Sequence, residues 1–327
     1  MHILITGAAG MIGRKLVARL MRDGALAGRA IDRMTLSDIV APDPPADATF
    51  AVASKASNLA AAGAAACAIA DRPDIIFHLA AVVSGEAEAD FEKGYRVNFG
   101  GTRQLFEAIR LAGDGYRPKL VFASSIAVFG APFPDVIGDD FFLGPLTSYG
   151  TQKAIGELLL GDYTRRGILD GIGIRLPTIV VRPGKPNKAA SGFFSSIIRE
   201  PLAGQEAVLP VSEDVRHWFA SPRAAVEFLL HAAGLAGDRL GLRINLTMPG
   251  LTSTVGEEIA ALARIAGADV VRHIRREPDA AIARIVAGWP QNFDARRATA
   301  LGFRAETSFD EIIRAHIDDE LGGRIGR

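Results

Sequence analysis

His2-Ile3-Leu4-Ile5-Thr6-Gly7-Ala8-Ala9-Gly10-Met11-Ile12-Gly13 is the stretch that decides the fold. Residues 1–6 form a short apolar run that stops at glycine, which reads as a buried strand. From 11 to 22 the apolar residues Ile12, Leu16, Val17 and Leu20 recur at helical spacing. A strand that turns through three glycines into a helix suits one kind of ligand. Gly7 permits the sharp turn, Gly10 allows close approach to the backbone, and Gly13 lets helix and strand pack tightly. The helix opening at Met11 and Ile12 points its positive end at a phosphate. The expected ligand is the pyrophosphate of a dinucleotide.

A second strand over 35–40 ends near Asp38. A carboxylate there accepts hydrogen bonds from adenosine ribose hydroxyls and repels a 2′-phosphate. The next residues, Ile39-Val40-Ala41, offer no arginine, so the expected cofactor is NAD rather than NADP. Arg33 lies nearby, upstream of the carboxylate. Further strands are expected at 75–80, 120–125 and 172–175, and helices at 95–112 and 149–166. The alternation predicts an α/β fold with a Rossmann-type, doubly wound parallel sheet. After Leu176 the pattern changes to turn-rich and helical, and 243–246 reads as a strand returning to the main sheet. The expected organisation is an NAD-binding Rossmann domain over 1–176 and 215–247. A smaller, discontinuous substrate-binding domain spans 177–214 and 248–327.

Composition narrows the function classes. Among 327 residues, 37 basic and 37 acidic side chains cancel, so nothing in the charge favours nucleic acid. Arg272-His273-Ile274-Arg275-Arg276 reads as a solvated face. The one cysteine, Cys67, excludes an intrachain disulfide and a cysteine-only zinc site, and it fits a reducing, cytoplasmic compartment. Histidines and carboxylates lack metal-ligand spacing, so no metal is expected. No apolar run reaches the roughly 18–20 residues of a membrane span.

Chemistry is carried by Tyr149-Gly150-Thr151-Gln152-Lys153. A spacing of four puts Tyr149 and Lys153 on one helical face. A free phenol, with a pKa of about 10, is a poor base at neutral pH, and a neighbouring ammonium favours its ionised form. Ser125, at the end of an expected strand, can hydrogen-bond the reacting oxygen. Proton transfer beside a dinucleotide implies hydride transfer as well.

The order Thr6–Gly13, Asp38, His78-Leu79-Ala80-Ala81, Val97-Asn98, Ser124-Ser125, Tyr149-x-x-x-Lys153 and Arg175 resembles the extended short-chain dehydrogenases/reductases, the NAD-dependent epimerase/dehydratase group. The resemblance covers nearly the whole chain. It implies that Tyr149 is the proton acceptor or donor and that Lys153 binds the nicotinamide ribose and tunes Tyr149. Ser125 would position substrate, Leu79 and Ala80 would line the cofactor cleft, and Asn98 would hold the site's geometry. Pro177 and Thr178 would flank the nicotinamide. Where the group usually has Asp-Leu or Asp-Ile against the adenine, this chain has Asn58-Leu59. The resemblance also implies a homodimer formed through the helices near 99–112 and 149–166, with Leu105, Ile109, Ile155 and Leu158 as candidate contacts.

Residues 81–91, 175–187, 199–204 and 216–218 further resemble the sugar-acid dehydrogenases of the group, so the expected substrate is a small sugar acid. Such a ligand needs a cation for its carboxylate and polar groups for its hydroxyls. Ser84, Thr178, Arg182, Asn187, Ser191 and Arg216 are the candidates, with Ser125 and Tyr149. His217 reads as a hydrogen-bonding residue, Trp218 as packing and His78 as structural. Two other readings stay open: a nucleotide-sugar epimerase or dehydratase with the same Tyr/Lys/Ser chemistry, and an NAD-sensing protein without turnover.

Overall fold

A computed structural model of the chain describes residues 1–184 and 191–325. The apolar runs form strands as expected: β1 (His2–Thr6), β2 (Arg33–Asp38), β4 (Ile75–His78), β5 (Lys119–Ser125) and β6 (Asp170–Leu176). Two more complete the main sheet, β3 (Ala51–Ala56) and β7 (Asn245–Thr247), in the spatial order β7-β6-β5-β4-β1-β2-β3. Every pairing from β3 across to β6 is parallel. The central strands are apolar on both faces: Ile3, Leu4, Ile5, Ile76, Phe77, Leu120 and Val121 are all fully buried. That double-sided burial is what a parallel sheet covered by helices requires. The chain builds outward from β1 through β2 and β3, then crosses back to β4, β5 and β6. The strand order therefore reverses between β1 and β4, the switch point at which open α/β sheets bind ligands.

Three helices of this unit bear on the site: α1 (Met11–Asp23), α2 (Thr102–Leu111) and α3 (Ser148–Arg165). The helix expected over 95–112 is composite. Residues Tyr95–Gly101 form a π-helix that runs directly into α2. β3 is absent from the sequence expectation because Ala51, Ser54 and Lys55 give an edge strand little apolar signal.

Chain contacts divide the molecule into two compact units. The first holds Met1–Val128, Pro145–Leu176 and Val226–Leu246, and the second Phe129–Gly144, Pro177–Ala225 and Thr247–Arg327. Segments 129–144 and 215–225, grouped with the Rossmann part in the sequence reading, fall in the second unit. That unit has a three-stranded sheet in the order Leu251–Thr254, Arg216–Ala220, Thr178–Ile179. Its core packs Phe193, Phe194, Ile197, Phe219, Val255, Ile259, Leu262, Phe309 and Ile312. Among the described residues, no helix is long and apolar enough to cross a membrane and no His/Cys/Asp/Glu cluster can hold a metal.

Candidate active site

Two of the three glycines after β1 are fixed by a steric limit. Gly7 has φ 76°, and a Cβ on it would lie 2.6 Å from the Ala80 nitrogen. Only glycine lets the turn after β1 lie against the turn after β4. A Cβ on Gly13 would lie 2.3 Å from the Gly7 carbonyl oxygen, so α1 could not start where it does. Gly10 is different: it is exposed, and a Cβ on it would meet only the Gly7 oxygen, at 3.2 Å. It caps α1 without a side chain, leaving the first-turn N–H groups of Met11 and Ile12 for a ligand. Asp38, at the end of β2, accepts hydrogen bonds from Ala9 N (2.9 Å) and Ile39 N (2.7 Å), which hold its carboxylate at the loop's rim. Arg33 is engaged elsewhere, 2.8 Å from the Asp71 carboxylate. An open backbone, free helix-start amides and a fixed carboxylate fit a dinucleotide with an unmodified ribose.

A directional chain of hydrogen bonds runs behind this loop. The Thr102 hydroxyl donates to the Asn98 carbonyl (2.6 Å), so it accepts from His78 Nε2 (2.9 Å). His78 then carries its proton on Nε2, and its Nδ1 accepts from the Thr6 hydroxyl (2.8 Å). Thr6 in turn accepts from Ala80 N. Complete burial pushes the His78 pKa down to about 3, with the nearby Lys153 charge acting in the same sense. The neutral ring ties β1, β4 and α2 together, the structural role its apolar strand suggested. Asn98 lies in the π-helix, a feature often found at functional sites. Its amide accepts from Val82 N (2.8 Å) and donates to Gln152 Oε1 (2.8 Å), which links the loop after β4 to α3.

α3 carries Tyr149 and Lys153. The Thr147 hydroxyl caps it by accepting from Gly150 N. Two glycines then let the helix settle onto β5 and the turn that follows it. A Cβ on Gly150 would lie 2.1 Å from the Ala127 carbonyl oxygen, and one on Gly156 would lie 2.6 Å from the Phe122 ring. This close approach brings Lys153 Nζ to 2.7 Å from the Ala123 carbonyl and 5.8 Å from the centre of the Tyr149 ring. Burial lowers the Lys153 pKa to about 8, and the Glu157 carboxylate opposes that shift. Apart from the bond to Ala123, the ammonium donates to no described residue. Ser125 ends β5, and its Oγ accepts from Ala127 N (3.1 Å). Beneath it, Glu157 accepts from the Ser124 hydroxyl (2.6 Å) and takes a two-pronged ion pair from Arg175 (2.8 and 3.0 Å), all three buried. Glu157 and Gln152 escaped the sequence reading. The one signal for Glu157 was its place four residues beyond Lys153.

The first unit thus brings together Gly7, Gly10, Met11, Ile12, Gly13, Asp38, Leu79 and Ala80 around one switch point. It also joins Ser125, Tyr149, Lys153 and Asn98 through β5 and α3. Asn58 is exposed past β3, where its Oδ1 accepts from Ala60 N (3.0 Å), and Leu59 is buried. Ser84 opens a short helix, Ser84–Ala89, half-buried. In the second unit Pro177 is buried, and Thr178 bonds to His217 Nε2 at 2.6 Å. Arg182 donates to the Ile179 carbonyl (3.0 Å) and the Ser191 hydroxyl (3.1 Å). Half-buried Arg216 makes no hydrogen bond or ion pair to a described residue. Asn187 lies outside the described residues.

The model of the NAD-dependent epimerase/dehydratase family matches residues 3–236. The chain belongs to that family. Its cofactor is NAD, and it is an enzyme of the extended short-chain dehydrogenase/reductase type. A D-erythronate dehydrogenase from Cupriavidus necator is 49% identical over 323 residues, 98% of each chain. One from Haemophilus influenzae is 40% identical over 321 residues, 98% of this chain and 100% of that one. The crystal structure of a nucleoside-diphosphate-sugar epimerase from Agrobacterium tumefaciens is 61% identical, with a TM-score of 0.97 over 99% of this chain and 95% of that one.

Proposed function

We propose that the chain oxidises D-erythronate at C2 to 2-oxo-D-erythronate. One observation carries the reading: similarity to two D-erythronate dehydrogenases spans 98% of the chain, so it includes the second unit as well as the dinucleotide-binding one. In this reading the first unit binds NAD through Gly7, Gly10, Met11, Ile12, Gly13, Asp38, Leu79 and Ala80, and the second unit binds the sugar acid. NAD, when bound, supplies the acceptor for the C2 hydrogen with its electron pair. Tyr149 Oη takes the proton of the C2 hydroxyl, because a neutral alcohol cannot become a carbonyl without losing it. The Lys153 ammonium favours the charged form of Tyr149 and holds ribose hydroxyls with its two remaining N–H groups. Ser125 Oγ orients the C2 hydroxyl. Arg216 pairs with the carboxylate, and Thr178, Arg182, Ser191 and Ser84 are the remaining candidates for the hydroxyls. We also propose that the enzyme is a cytoplasmic homodimer.

The name carried by the Agrobacterium structure favours a second reading, in which the hydride returns to the substrate. A panel of C3–C6 aldonates, followed by NADH absorbance with products identified by mass spectrometry, separates the two. Net NADH with D-erythronate is expected, whereas an epimerase accumulates none. Tyr149→Phe is expected to keep NAD binding and lose about 10²–10⁴-fold in kcat. Near-normal turnover in that variant would remove Tyr149 from the mechanism.

A further inference from the structure

Gln152 is fully buried on α3, between Tyr149 and Lys153 in sequence. Its amide meets the side chain of Asn98, and backbone groups fix which way each amide points. Val82 N can only donate, so the Asn98 atom it reaches at 2.8 Å is the oxygen. Val82 O can only accept, and it takes a proton from Asn98 Nδ2 at 3.2 Å. The other Nδ2 proton goes to Gln152 Oε1 at 2.8 Å. Asn98 has then given both of its N–H groups, and its side chain has no donor left for a cofactor or a substrate.

The far end of Gln152 shows that this arrangement is unfavourable on its own. Nε2 is buried and has no hydrogen-bond partner among the described residues. It lies against Gly94, where a Cβ would be 2.7 Å from Nε2 and 3.1 Å from the Ala87 Cβ. A buried donor without an acceptor destabilises the fold, and a methionine of similar volume would carry no such donor. Packing alone therefore does not call for glutamine at this position. What glutamine adds is Oε1, the acceptor for Asn98. Asn98 holds Val82, in the loop after β4, and Gln152 belongs to the helix that carries Tyr149 and Lys153. Another tie between these segments, from Ser148 N to Glu88 Oε2 (2.9 Å), lies in the open, where water competes for both groups.

We propose that Gln152 is a positioning residue: through Asn98 it fixes the loop after β4, beside the cofactor cleft, against the helix that presents Tyr149 and Lys153. Hydride and proton leave the same substrate carbon and its hydroxyl, one toward the cofactor and the other toward Tyr149. The two halves of the site must therefore keep one spacing, and a misplacement of about 1 Å can cost about 10²-fold in rate. The rates below are read with D-erythronate, so that arm of the test rests on the substrate proposed above.

Two variants and one spectrum test this. Gln152→Met keeps the volume, removes the acceptor for Asn98 and removes the unpaired Nε2. Loss and gain offset, so its urea midpoint and NAD affinity are expected to stay near wild type while kcat falls roughly 10–100-fold. With D-erythronate deuterated at C2, the isotope effect on kcat is expected to grow, because the hydride step slows relative to the others. Gln152→Glu still offers Asn98 an acceptor, since burial keeps the new carboxyl protonated, and it is expected to recover most of the rate. A normal kcat in Gln152→Met, or equal losses in the two variants, overturns the proposal. In 15N–1H spectra the Asn98 Nδ2 protons, assigned through the Asn98 backbone resonances, are expected to exchange slowly with solvent in the wild type and to shift in Gln152→Met. Rapid exchange, or no shift, overturns the proposal without reference to any substrate. If no aldonate yields NADH, the substrate reading fails, and the spectra still decide whether Gln152 holds Asn98.

Discussion

Arg182 and Arg216 are two cations with different occupations, and the difference decides which can bind an anion. The Arg182 guanidinium already donates to the Ile179 carbonyl and the Ser191 hydroxyl, so it braces the chain around it. Arg216 is half-buried and bonds to no described residue. Its nearest influence is a Coulombic one that helps to lower the pKa of Glu257, after the Thr254 backbone bond that dominates there. A guanidinium withdrawn from water gains most from a two-pronged carboxylate partner. Arg216→Met is therefore expected to raise KM for the aldonate and lower kcat/KM by roughly two decades, with NAD affinity nearly unchanged. Arg182→Met is expected to act more through stability than through KM. Steady-state kinetics beside NAD titration tests both, and an unchanged KM in Arg216→Met would place the carboxylate elsewhere.

Among the elements, α3 does most to set the site, and glycine does most to set α3. Gly150 meets the turn after β5 and Gly156 meets β5 itself, contacts that no side chain could share, whereas a Cβ on Gly161 would meet nothing within 4 Å. Gly161 and Gly150 should respond in opposite senses to one substitution. Gly161→Ala is expected to stabilise by about 0.5–1 kcal/mol, since glycine costs about that much in a helix interior. Gly150→Ala is expected to destabilise by about 1–3 kcal/mol through overpacking. It should also cut kcat, because Tyr149 moves with the helix. Urea midpoints and kcat on the two variants check this, and a stabilised, fully active Gly150→Ala would refute the packing argument. The same element shows what a sequence reveals. The glycine loop, Asp38 and the Tyr149/Lys153 pair were legible because each occupies a short stretch whose spacing dictates its geometry. Gln152 and Glu157 were not, because their partners Asn98, Ser124 and Arg175 are remote in sequence and meet them only through the fold. The edge strand β3 was invisible for want of apolar alternation. The sequence also could not sort the faces of α2 and α3. Leu105 and Ile109 turn out to be buried, while Leu111 and Leu158 remain 70% and 68% exposed.

Those two exposed leucines belong to the scale of the whole molecule, where large apolar side chains left in water on helices are candidates for burial against a second copy. Leu158→Glu is expected to shift a dimer to monomer in analytical ultracentrifugation, and a wild-type chain that is monomeric at every concentration would end the dimer proposal. Stability against pH is also a property of the whole chain, and three buried groups in two units contribute to it in opposite senses. His78 and His217 both have folded pKa values near 3. Below about 6.5 the unfolded chain takes up protons that the folded rings refuse. Their contribution is thus fully present above 6.5 and is lost as pH falls toward 3. Glu258 works in reverse. It is wholly buried, both carboxyl oxygens lack a hydrogen bond to any described residue, and burial raises its pKa well above the ordinary value. The folded chain keeps that proton after the unfolded chain has lost it, so stability drains away as pH rises above about 4.5, at up to about 1.4 kcal/mol per pH unit. Glu258→Gln keeps the shape and removes the titration. Its gain in urea midpoint over wild type is expected to be small at pH 5 and to grow as pH rises, flattening the alkaline side. Parallel curves for the two proteins would mean that Glu258 is already ionised in the folded state, in which case a cation or water not evident among its described neighbours must compensate it.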